Sequence, residues 1–392
     1  MSVGRQPIAS SQIAGSLSRR GFLLGSIGAG LGGFALPSAS QRLQADESKA
    51  SAPLTNEAIQ AASGRAELSM LFDGNTADEC RDWQKAFRAQ LSELLGDIAP
   101  PPRWKAIEEA RTEFDDHTRI DLMLVAENVP AVPVYLLLPK NVSRAKKRPA
   151  VLCVHGHGAH GNHPIVGRTD LDGVARDIER MNYDYGLQFV RRGYVVAAPC
   201  MLPFGRRVDR KAYGGNDPCA VTFVRMQALG RLPLAANLRD LSWSIDLLAS
   251  RPEVDAERIG CAGLSYGGRM TMMVSAMDQR IKVAAVSGAL NLLQERITSR
   301  YSCGSQIIPG LLKYGDYSEI GSLIAPRPAV WEVGSTDPLI IPDWAATFRR
   351  RLERAYSALD SGNQLHFDHF TGGHRWNGEV AFGLFDDVLK PG

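Results

Sequence analysis

The chain has 392 residues, of which 44% are hydrophobic and 22% are charged, an ordinary balance for a soluble globular protein. Its formal net charge of +3 depends on four arginines in residues 1–45, which contain no Asp or Glu, and the remaining 41 basic and 42 acidic residues balance to −1. A charge this even excludes binding to nucleic acid or to an anionic membrane surface through overall charge.

The first residues carry a pattern typical of export. Arg19 and Arg20 directly precede an uncharged, glycine-rich stretch at residues 21–36, and small residues follow at 38–40. This pattern resembles a twin-arginine signal peptide, which implies export through the twin-arginine machinery to the periplasm or out of the cell. The stretch is short and glycine-rich for a membrane span, so we expect a cleaved signal over residues 1–45 and no stable membrane anchor.

Two segments precede the main body of the chain. Residues 46–110 are predicted to form a helical extension, because apolar side chains recur there at helical spacing before a run of three prolines. Residues 119–125 and 132–138 are then predicted to form an antiparallel pair of strands. We assign residues 111–392 to the main domain.

From residue 149 onward, short apolar runs alternate with amphipathic helical segments. This alternation predicts an α/β fold with a mostly parallel central sheet and helices on both faces. Two long stretches, residues 201–235 and 288–326, interrupt the rhythm, and each follows the carboxyl end of a predicted strand. Functional groups gather at these strand ends, so we expect the two insertions to form the walls of a pocket. The predicted buried strands lie at 150–154, 194–198, 259–262, 283–286, 329–333 and 365–370.

One strand–turn–helix junction carries the motif G-x-S-x-G. It reads Gly-Leu-Ser-Tyr-Gly at residues 263–267, between the apolar run 259–262 and a helix whose apolar residues recur at i, i+3, i+4 and i+7. A serine on such a strained turn exposes its hydroxyl, and the flanking glycines let strand and helix close on each other. We therefore predict that Ser265 is a nucleophile and that the backbone N–H of Tyr266 faces any anion formed beside it.

A serine nucleophile needs an imidazole base and an acid that orients the imidazole. Asp337 fits the acid because it lies in a loop directly after a predicted strand, whereas the nearest rival, Glu332, lies within that strand. His374 fits the base because it lies in the loop after the last predicted strand, which itself holds the weaker candidates His366 and His369. The alternative for Asp337 is a structural cap of the next helix or turn.

A second loop, His-Gly-His-Gly at residues 155–158, follows the strand predicted at 150–154. Sites of this kind take a second oxyanion donor from such a loop, and we assign it to the backbone N–H of His157, beside that of Tyr266. Metal binding is the competing interpretation, because four histidines lie close together here. No Cys or paired carboxylate accompanies them, and the glycines favour use of the backbone, so we predict no metal and no other cofactor. The four histidines are His155, His157, His160 and His163.

The six cysteines do not make a disulfide scaffold in a domain of this size. Cys153 and Cys261 fall within predicted buried strands and are interpreted as small hydrophobic residues. Cys200, Cys219 and Cys303 lie in loops that should surround the site. In an exported protein two of these could form a disulfide, and the sequence leaves the pairing open.

Together these motifs resemble the α/β-hydrolase superfamily, and more narrowly its dienelactone hydrolase and acetyl-xylan-esterase-like branch. The resemblance covers about residues 115–392, and its most specific part runs from Ser-Arg-Pro-Glu-Val-Asp, beginning at Ser250, through the G-x-S-x-G motif. It implies a serine carboxylic ester hydrolase with an acyl-enzyme intermediate carried by Ser265, Asp337 and His374. Two features depart from dienelactone hydrolases, since the nucleophile is Ser rather than Cys and two large insertions are added.

The insertions supply aromatic and arginine side chains, of which Phe204, Arg206 and Tyr301 are the candidates for contact with substrate. Aromatic faces stack on sugar rings and arginines donate hydrogen bonds to hydroxyls or carboxylates, so we expect a short acyl group, acetyl above all, on a polar or carbohydrate alcohol. The plain alternative is that these arginines are solvated loop charges. Two other functions stay open: a peptidase or amidase, because Ser-Tyr-Gly-Gly also resembles prolyl-oligopeptidase-type catalytic domains, and an inactive binding protein.

Overall fold

The computed structural model describes residues 54–140, 142–208, 211–299 and 302–390. The predicted signal peptide and the candidate substrate contact Tyr301 therefore lie outside the described residues. Within the part of the chain that is described, no helix combines the length and the apolar character needed to cross a membrane.

A nine-stranded sheet runs through the described part of the chain. Its strands are β1 (Lys105–Glu113), β2 (His117–Ala126), β3 (Val129–Pro139), β4 (Arg148–Val154), β5 (Val195–Pro199), β6 (Val254–Leu264), β7 (Ile281–Ser287), β8 (Ala329–Gly334) and β9 (Leu365–Phe370). Their order across the sheet is β1-β2-β3-β5-β4-β6-β7-β8-β9. The pairs β1–β2, β2–β3 and β3–β5 are antiparallel. All the other neighbouring pairs, from β5–β4 to β8–β9 in sheet order, are parallel. The α/β fold with a mostly parallel sheet is confirmed, as is the antiparallel pair formed by β2 and β3.

Helices cover both faces of this sheet. They are α1 (Thr55–Gly64), α2 (Ala77–Leu95), α3 (Val174–Met181), α4 (Tyr185–Arg191), α5 (Pro218–Gln227), α6 (Pro233–Ser250), α7 (Tyr266–Met277), α8 (Leu293–Thr298), α9 (Tyr317–Ser322), α10 (Pro342–Ala358) and α11 (Glu379–Leu389). In β4, Ala150, Leu152 and Val154 pack into a core shared with α2, α6, α7 and α10, whereas Val151 and Cys153 face α4 and α11. Successive side chains of a strand point to opposite faces, so burial on both faces explains the continuous apolar run in the sequence.

Helix α2 is attached to the main domain by apolar and polar contacts. Phe87 is buried in the core, and the Gln84 side-chain amide donates to the carbonyl oxygens of Ser322 and Ala325, each at 2.9 Å. Residues 53–392 accordingly form one compact unit.

Strand β1 is the main difference from the sequence prediction, which extended the helical segment through residue 110. Its sequence, Lys-Ala-Ile-Glu-Glu-Ala-Arg-Thr-Glu, consists largely of helix-forming residues, and almost every side chain is exposed. The strand forms because its backbone pairs antiparallel with β2, from Lys105 opposite Val125 to Glu113 opposite Thr118. It has no buried face and therefore no apolar alternation to predict it, and its charges oppose pairing with a further chain at this sheet edge.

The two insertions meet above the carboxyl ends of the strands. Residues 201–235 follow β5 and contain α5, while residues 288–326 follow β7 and contain α8 and α9. Phe223 of α5 packs so closely on Gly304 that a Cβ atom at Gly304 would lie 2.5 Å from the phenyl ring. This contact brings one insertion directly against the other.

Candidate active site

Ser265 occupies a strained turn between β6 and α7. Its φ of 64° and ψ of −122° lie in a region that residues other than glycine rarely adopt. A Cβ atom at Gly267 would lie 1.9 Å from the Val154 carbonyl oxygen, and one at Gly263 would lie 2.5 Å from the Gly267 backbone. The turn can close only because these two motif positions are glycine. The Ser265 N–H donates to the Ser287 carbonyl of β7 at 2.8 Å, which fixes the turn to the neighbouring strand.

His374 and Asp337 meet at the carboxyl ends of β8 and β9. His374 Nδ1 lies 2.7 Å from Asp337 Oδ2, and the carboxylate also accepts a bond of 2.9 Å from the Leu339 N–H. The Asp337 side chain is 1% exposed, so its carboxylate is shielded from water. A proton on Nδ1, directed at the carboxylate, leaves Nε2 as a hydrogen-bond acceptor. Among the described residues this buried Nε2 has no hydrogen-bond partner.

The imidazole of His374 lies against the cavity that contains Ser265. Gly288 lines this cavity, and a Cβ atom at Gly288 would lie 2.6 Å from His374 Cε1. The structure thus brings Ser265, His374 and Asp337, which are far apart in sequence, to one edge of the sheet. An imidazole so oriented can take a proton from a serine hydroxyl.

Glu332, the rival acid, lies in β8 and contacts a different part of the chain. Its carboxylate accepts hydrogen bonds from the N–H groups of Gly378 at 2.8 Å and Asn377 at 3.4 Å, both in the segment that follows His374. The side chain is fully buried, and burial raises the pKa of Glu332 to about 7. Its observed bonds hold the loop that carries the imidazole.

The two predicted oxyanion donors lie next to each other. Tyr266 is the first residue of α7, so its N–H belongs to the first turn, which has no acceptor within the helix. The loop that carries His157 approaches Ser265 closely, since a Cβ atom at Gly156 would lie 3.1 Å from Ser265 Cβ. The rings of His157 and Tyr266 are 4.8 Å apart, and both residues line the cavity. The Tyr266 hydroxyl accepts from Asn237 Nδ2 at 3.0 Å, which holds the ring in place.

The cavity beside Ser265 has a volume of about 210 Å³ and a wall with many polar groups. Arg269 is 2% exposed and stacks 3.6 Å from the centre of the Tyr317 ring, and its Nη2 donates to side-chain and backbone oxygens of Asn291. Burial lowers the pKa of Arg269 to about 10, so it remains a cation at neutral pH. The remaining lining residues are His157, Ser265, Tyr266, Gly288, Ala289, Arg296, Cys303, Gln306 and Leu339.

Sequence reasoning did not assign Arg269 or Asn291 to this wall. Arg269 follows the G-x-S-x-G motif on α7, and its apolar helical neighbours suggested only a buried face. The one feature of the sequence that indicates a position near the site is that Arg269 lies in the first turn of the helix that follows Ser265.

The candidate substrate contacts in the first insertion have different surroundings. Phe204 is buried and packs edge-on against His157, with ring centres 5.3 Å apart, so it lies behind the cavity wall. Arg206 pairs with Glu109 of β1 at 2.7 Å and does not line the cavity beside Ser265. Its pairing with an exposed edge strand could not be read from the sequence, because that strand itself gave no signal.

Three of the four closely spaced histidines, His155, His160 and His163, contact different partners. His155 Nε2 accepts from the Met201 N–H at 2.8 Å, and burial lowers the pKa of His155 to about 4, so the ring is neutral. His160 pairs with Asp177 at 2.7 Å, and His163 Nδ1 lies 2.8 Å from the Tyr135 hydroxyl. These contacts give the four rings no common point at which they could bind one ion.

A larger cavity, of about 560 Å³, lies between α1 and residues 307–313. Aliphatic side chains form much of its wall, and none of the predicted catalytic residues lies in it. We therefore place the candidate site in the smaller cavity, where the strained serine and a wall of polar groups occur together.

Comparison with known proteins agrees with this fold. Residues 133–298 match the model of the Dienelactone hydrolase family. The chain is 28% identical over 296 residues to the protein named "Putative hydrolase YtaP" of Bacillus subtilis (strain 168), an alignment that covers 73% of this chain and 92% of that protein. The resemblance predicted from the sequence motifs is confirmed over the matched residues.

Solved structures with carbohydrate-esterase names share the fold. A structure described as a "putative acetyl xylan esterase" from Bacteroides fragilis NCTC 9343 has a TM-score of 0.67 at 20% identity, covering 80% of this chain and 81% of that one. A glucuronoyl esterase from Solibacter usitatus has a TM-score of 0.59 at 17% identity, covering 83% and 97%. At these identities the likeness establishes the fold.

Replacing Glu332 by Gln should remove a pH dependence of stability. The pKa of about 7 in the folded protein exceeds the ordinary value of 4.5, so the folded state holds this proton more tightly than the unfolded state. The stabilisation is fully present below about pH 4.5 and is lost as the pH rises through 7, which amounts to about 2 to 3 kcal/mol between pH 5 and pH 8. Urea unfolding at both pH values should show a loss that is smaller by about this amount in Glu332→Gln than in the wild type, while the buried Glu319, whose pKa is also raised to about 7, contributes equally to both proteins.

The exposed Glu257 provides the matched control, since Glu257→Gln should keep the wild-type loss. Equal losses in the wild type and in Glu332→Gln would contradict the role of burial at Glu332.

Proposed function

We propose that this protein is a serine hydrolase that cleaves carboxylic esters carrying a short acyl group, acetyl above all, on a polar or carbohydrate alcohol. The observation that carries the proposal is the pairing of His374 with Asp337, which leaves a buried Nε2, unpartnered among the described residues, beside the cavity of the strained Ser265. Nucleophile, base and orienting acid are the minimum set for acyl transfer through a serine.

In the proposed reaction, Ser265 Oγ attacks the ester carbonyl carbon while His374 Nε2 accepts the hydroxyl proton. The carbonyl oxygen becomes an anion and is held by the backbone N–H groups of Tyr266 and His157. His374 then donates the proton to the leaving alcohol oxygen, which gives the acyl-enzyme. Water then attacks the acyl carbon while the same imidazole takes one of its protons. The imidazole returns this proton to Ser265 Oγ as the bond from Oγ to the acyl group breaks, which releases the acid. Asp337 keeps the imidazole in the required tautomer throughout.

The size and polarity of the cavity support the substrate class. A volume of about 210 Å³ suits a small acyl group, and the arginine and amide groups of its wall suit polar partners better than long aliphatic chains. The name of the Bacteroides fragilis protein refers to an acetyl ester of a carbohydrate, which agrees with this choice.

Ser265→Ala and His374→Ala should each lower ester turnover by about 10⁴-fold or more while leaving the protein folded. The reason is that each change removes a group that reacts or transfers a proton. Turnover of p-nitrophenyl acetate and labelling by a fluorophosphonate probe provide the measurements, with Ser63→Ala as a control serine outside the site. Near wild-type turnover in either variant would refute the assignment.

The same assay distinguishes the two carboxylates. Asp337→Asn should lower turnover severely by favouring the wrong imidazole tautomer, whereas Glu332→Gln should cost less because its contacts are with the loop. A larger loss in Glu332→Gln would mean that the acid has been misassigned.

Activity should fall steeply when the acyl chain exceeds about four carbons, because a small cavity cannot accommodate added methylenes. A series of p-nitrophenyl esters together with acetylated sugars measures this preference. Leu339 lines the cavity, so Leu339→Ala should widen it and extend the tolerated chain. Highest activity on long-chain esters, or cleavage of peptides without esterase activity, would overturn the proposed substrate class.

We further propose that the protein is exported by the twin-arginine route, on the basis of Arg19 and Arg20 before an uncharged segment. Replacing both arginines by lysine should leave uncleaved precursor in the cytoplasm, as measured by fractionation and immunoblotting. Unchanged delivery of the mature protein to the periplasm would exclude this route.

A further inference from the structure

A cluster of metal-binding side chains lies at the junction of the two insertions. It consists of His157, from the loop after β4; Cys219, the second residue of α5; and Cys303, directly before the turn Gly304–Gln306. One ligand atom from each residue lies within 4.8 Å of the other two. Three distant segments of the chain thus converge on one point.

The side chains of the cluster make few hydrogen bonds. Cys303 Sγ accepts from the Ser305 N–H at 3.4 Å and interacts with the Cys219 thiol and the His157 ring, which are the other two members of the cluster. In the part of the chain that is described, the buried His157 Nε2 has no hydrogen-bond partner. Both cysteines are free thiols, and Cys219 is 5% exposed. A buried polar nitrogen without a partner is costly unless something binds it, and the two sulfur atoms beside it are the natural co-ligands of a metal ion.

We propose that His157, Cys219 and Cys303 bind one Zn²⁺ ion. Two thiolates and one imidazole match the soft and borderline donors that zinc prefers, and the cluster contains no carboxylate oxygen that would favour Mg²⁺ or Ca²⁺. Three protein ligands leave the fourth tetrahedral position open. His157 and Cys303 both line the cavity that contains Ser265, so the cluster lies at the wall of that cavity.

The ion would connect the His157 loop to both insertions. α5 and the Gly304–Gln306 turn already touch through Phe223 and Gly304, and the metal would add a coordinate link between the same segments. A disulfide between Cys219 and Cys303 is the competing use of the two thiols. It would leave the His157 nitrogen without a partner, whereas the metal satisfies all three groups, which is why the geometry favours the metal.

The metal site does not depend on the proposed esterase activity, so its test reads metal binding directly. The full chain is reduced, stripped of metal with a chelator and titrated with Co²⁺, whose bonds to thiolates give a charge-transfer absorption band. We expect one Co²⁺ per chain, displaced by one Zn²⁺. Cys219→Ser and Cys303→Ser should each weaken binding by about 100-fold or more, because loss of a direct ligand exceeds the known cost of losing a supporting residue.

Cys80→Ser is the matched control, since Cys80 is a buried free thiol in α2 that contacts the Ala355 carbonyl and is not a member of the cluster. It should bind Co²⁺ as the wild type does. A second measurement needs no variant: Zn²⁺ should protect Cys219 and Cys303 of the wild type from alkylation, as mapped by mass spectrometry.

The proposal is overturned if the reduced wild type gives no thiolate-to-cobalt band, if Cys303→Ser keeps the band, or if Zn²⁺ leaves alkylation of the two cysteines unchanged. A Cys219–Cys303 disulfide that forms without reductant and persists in excess Zn²⁺ would equally overturn it.

Discussion

The candidate site depends on the close approach of helix α7 to the end of strand β4. Gly267 lies so near the Val154 carbonyl that no side chain fits between them, and this contact forces the strained conformation of Ser265. Because β4 and β6 are neighbouring parallel strands, the same packing sets the His157 loop beside the nucleophile. The strands β7, β8 and β9 follow in order across the sheet and end at the same edge. The loops after β8 and β9, which carry Asp337 and His374, therefore lie near Ser265 because of the strand order and not because of any local sequence motif.

Glu332 in β8 and Asp337 in the loop after it differ in their burial and their partners, and therefore in their roles. Asp337 contacts the imidazole of His374 and the backbone N–H of Leu339. Glu332 is fully buried and accepts backbone bonds from Gly378 and Asn377, and its burial raises the pKa to about 7. Two carboxylates therefore hold the loop that carries His374. Asp337 orients the imidazole ring, and Glu332 binds the backbone N–H groups that follow it.

The sequence predicted those features whose signal is local or repeated. The buried strands, the β2–β3 pair and the strand–turn–helix around Ser265 all carry apolar periodicity or a motif, and the structure has each of them. Strand β1 has neither, because backbone pairing with β2 alone holds it. The partner of Arg206 and the meeting of Cys219 with Cys303 depend on contacts between distant segments. The histidines close to His157 in sequence suggested a shared metal site, but in the fold His160 and His163 contact other partners.

The buried cation in the cavity wall is suited to the proposed ester hydrolysis. Arg269 is buried beside the nucleophile, and its Nε and Nη1 have no hydrogen-bond partner among the described residues. Stacking on Tyr317 and bonding to Asn291 hold the guanidinium in place. A cation in such a poorly hydrated position acts over a longer range than one in water. Together with the N-terminus of α7, it favours negative charge where the oxyanion would form, and it disfavours the entry of long apolar chains. A short acyl group on a polar alcohol is the kind of ester that both effects favour.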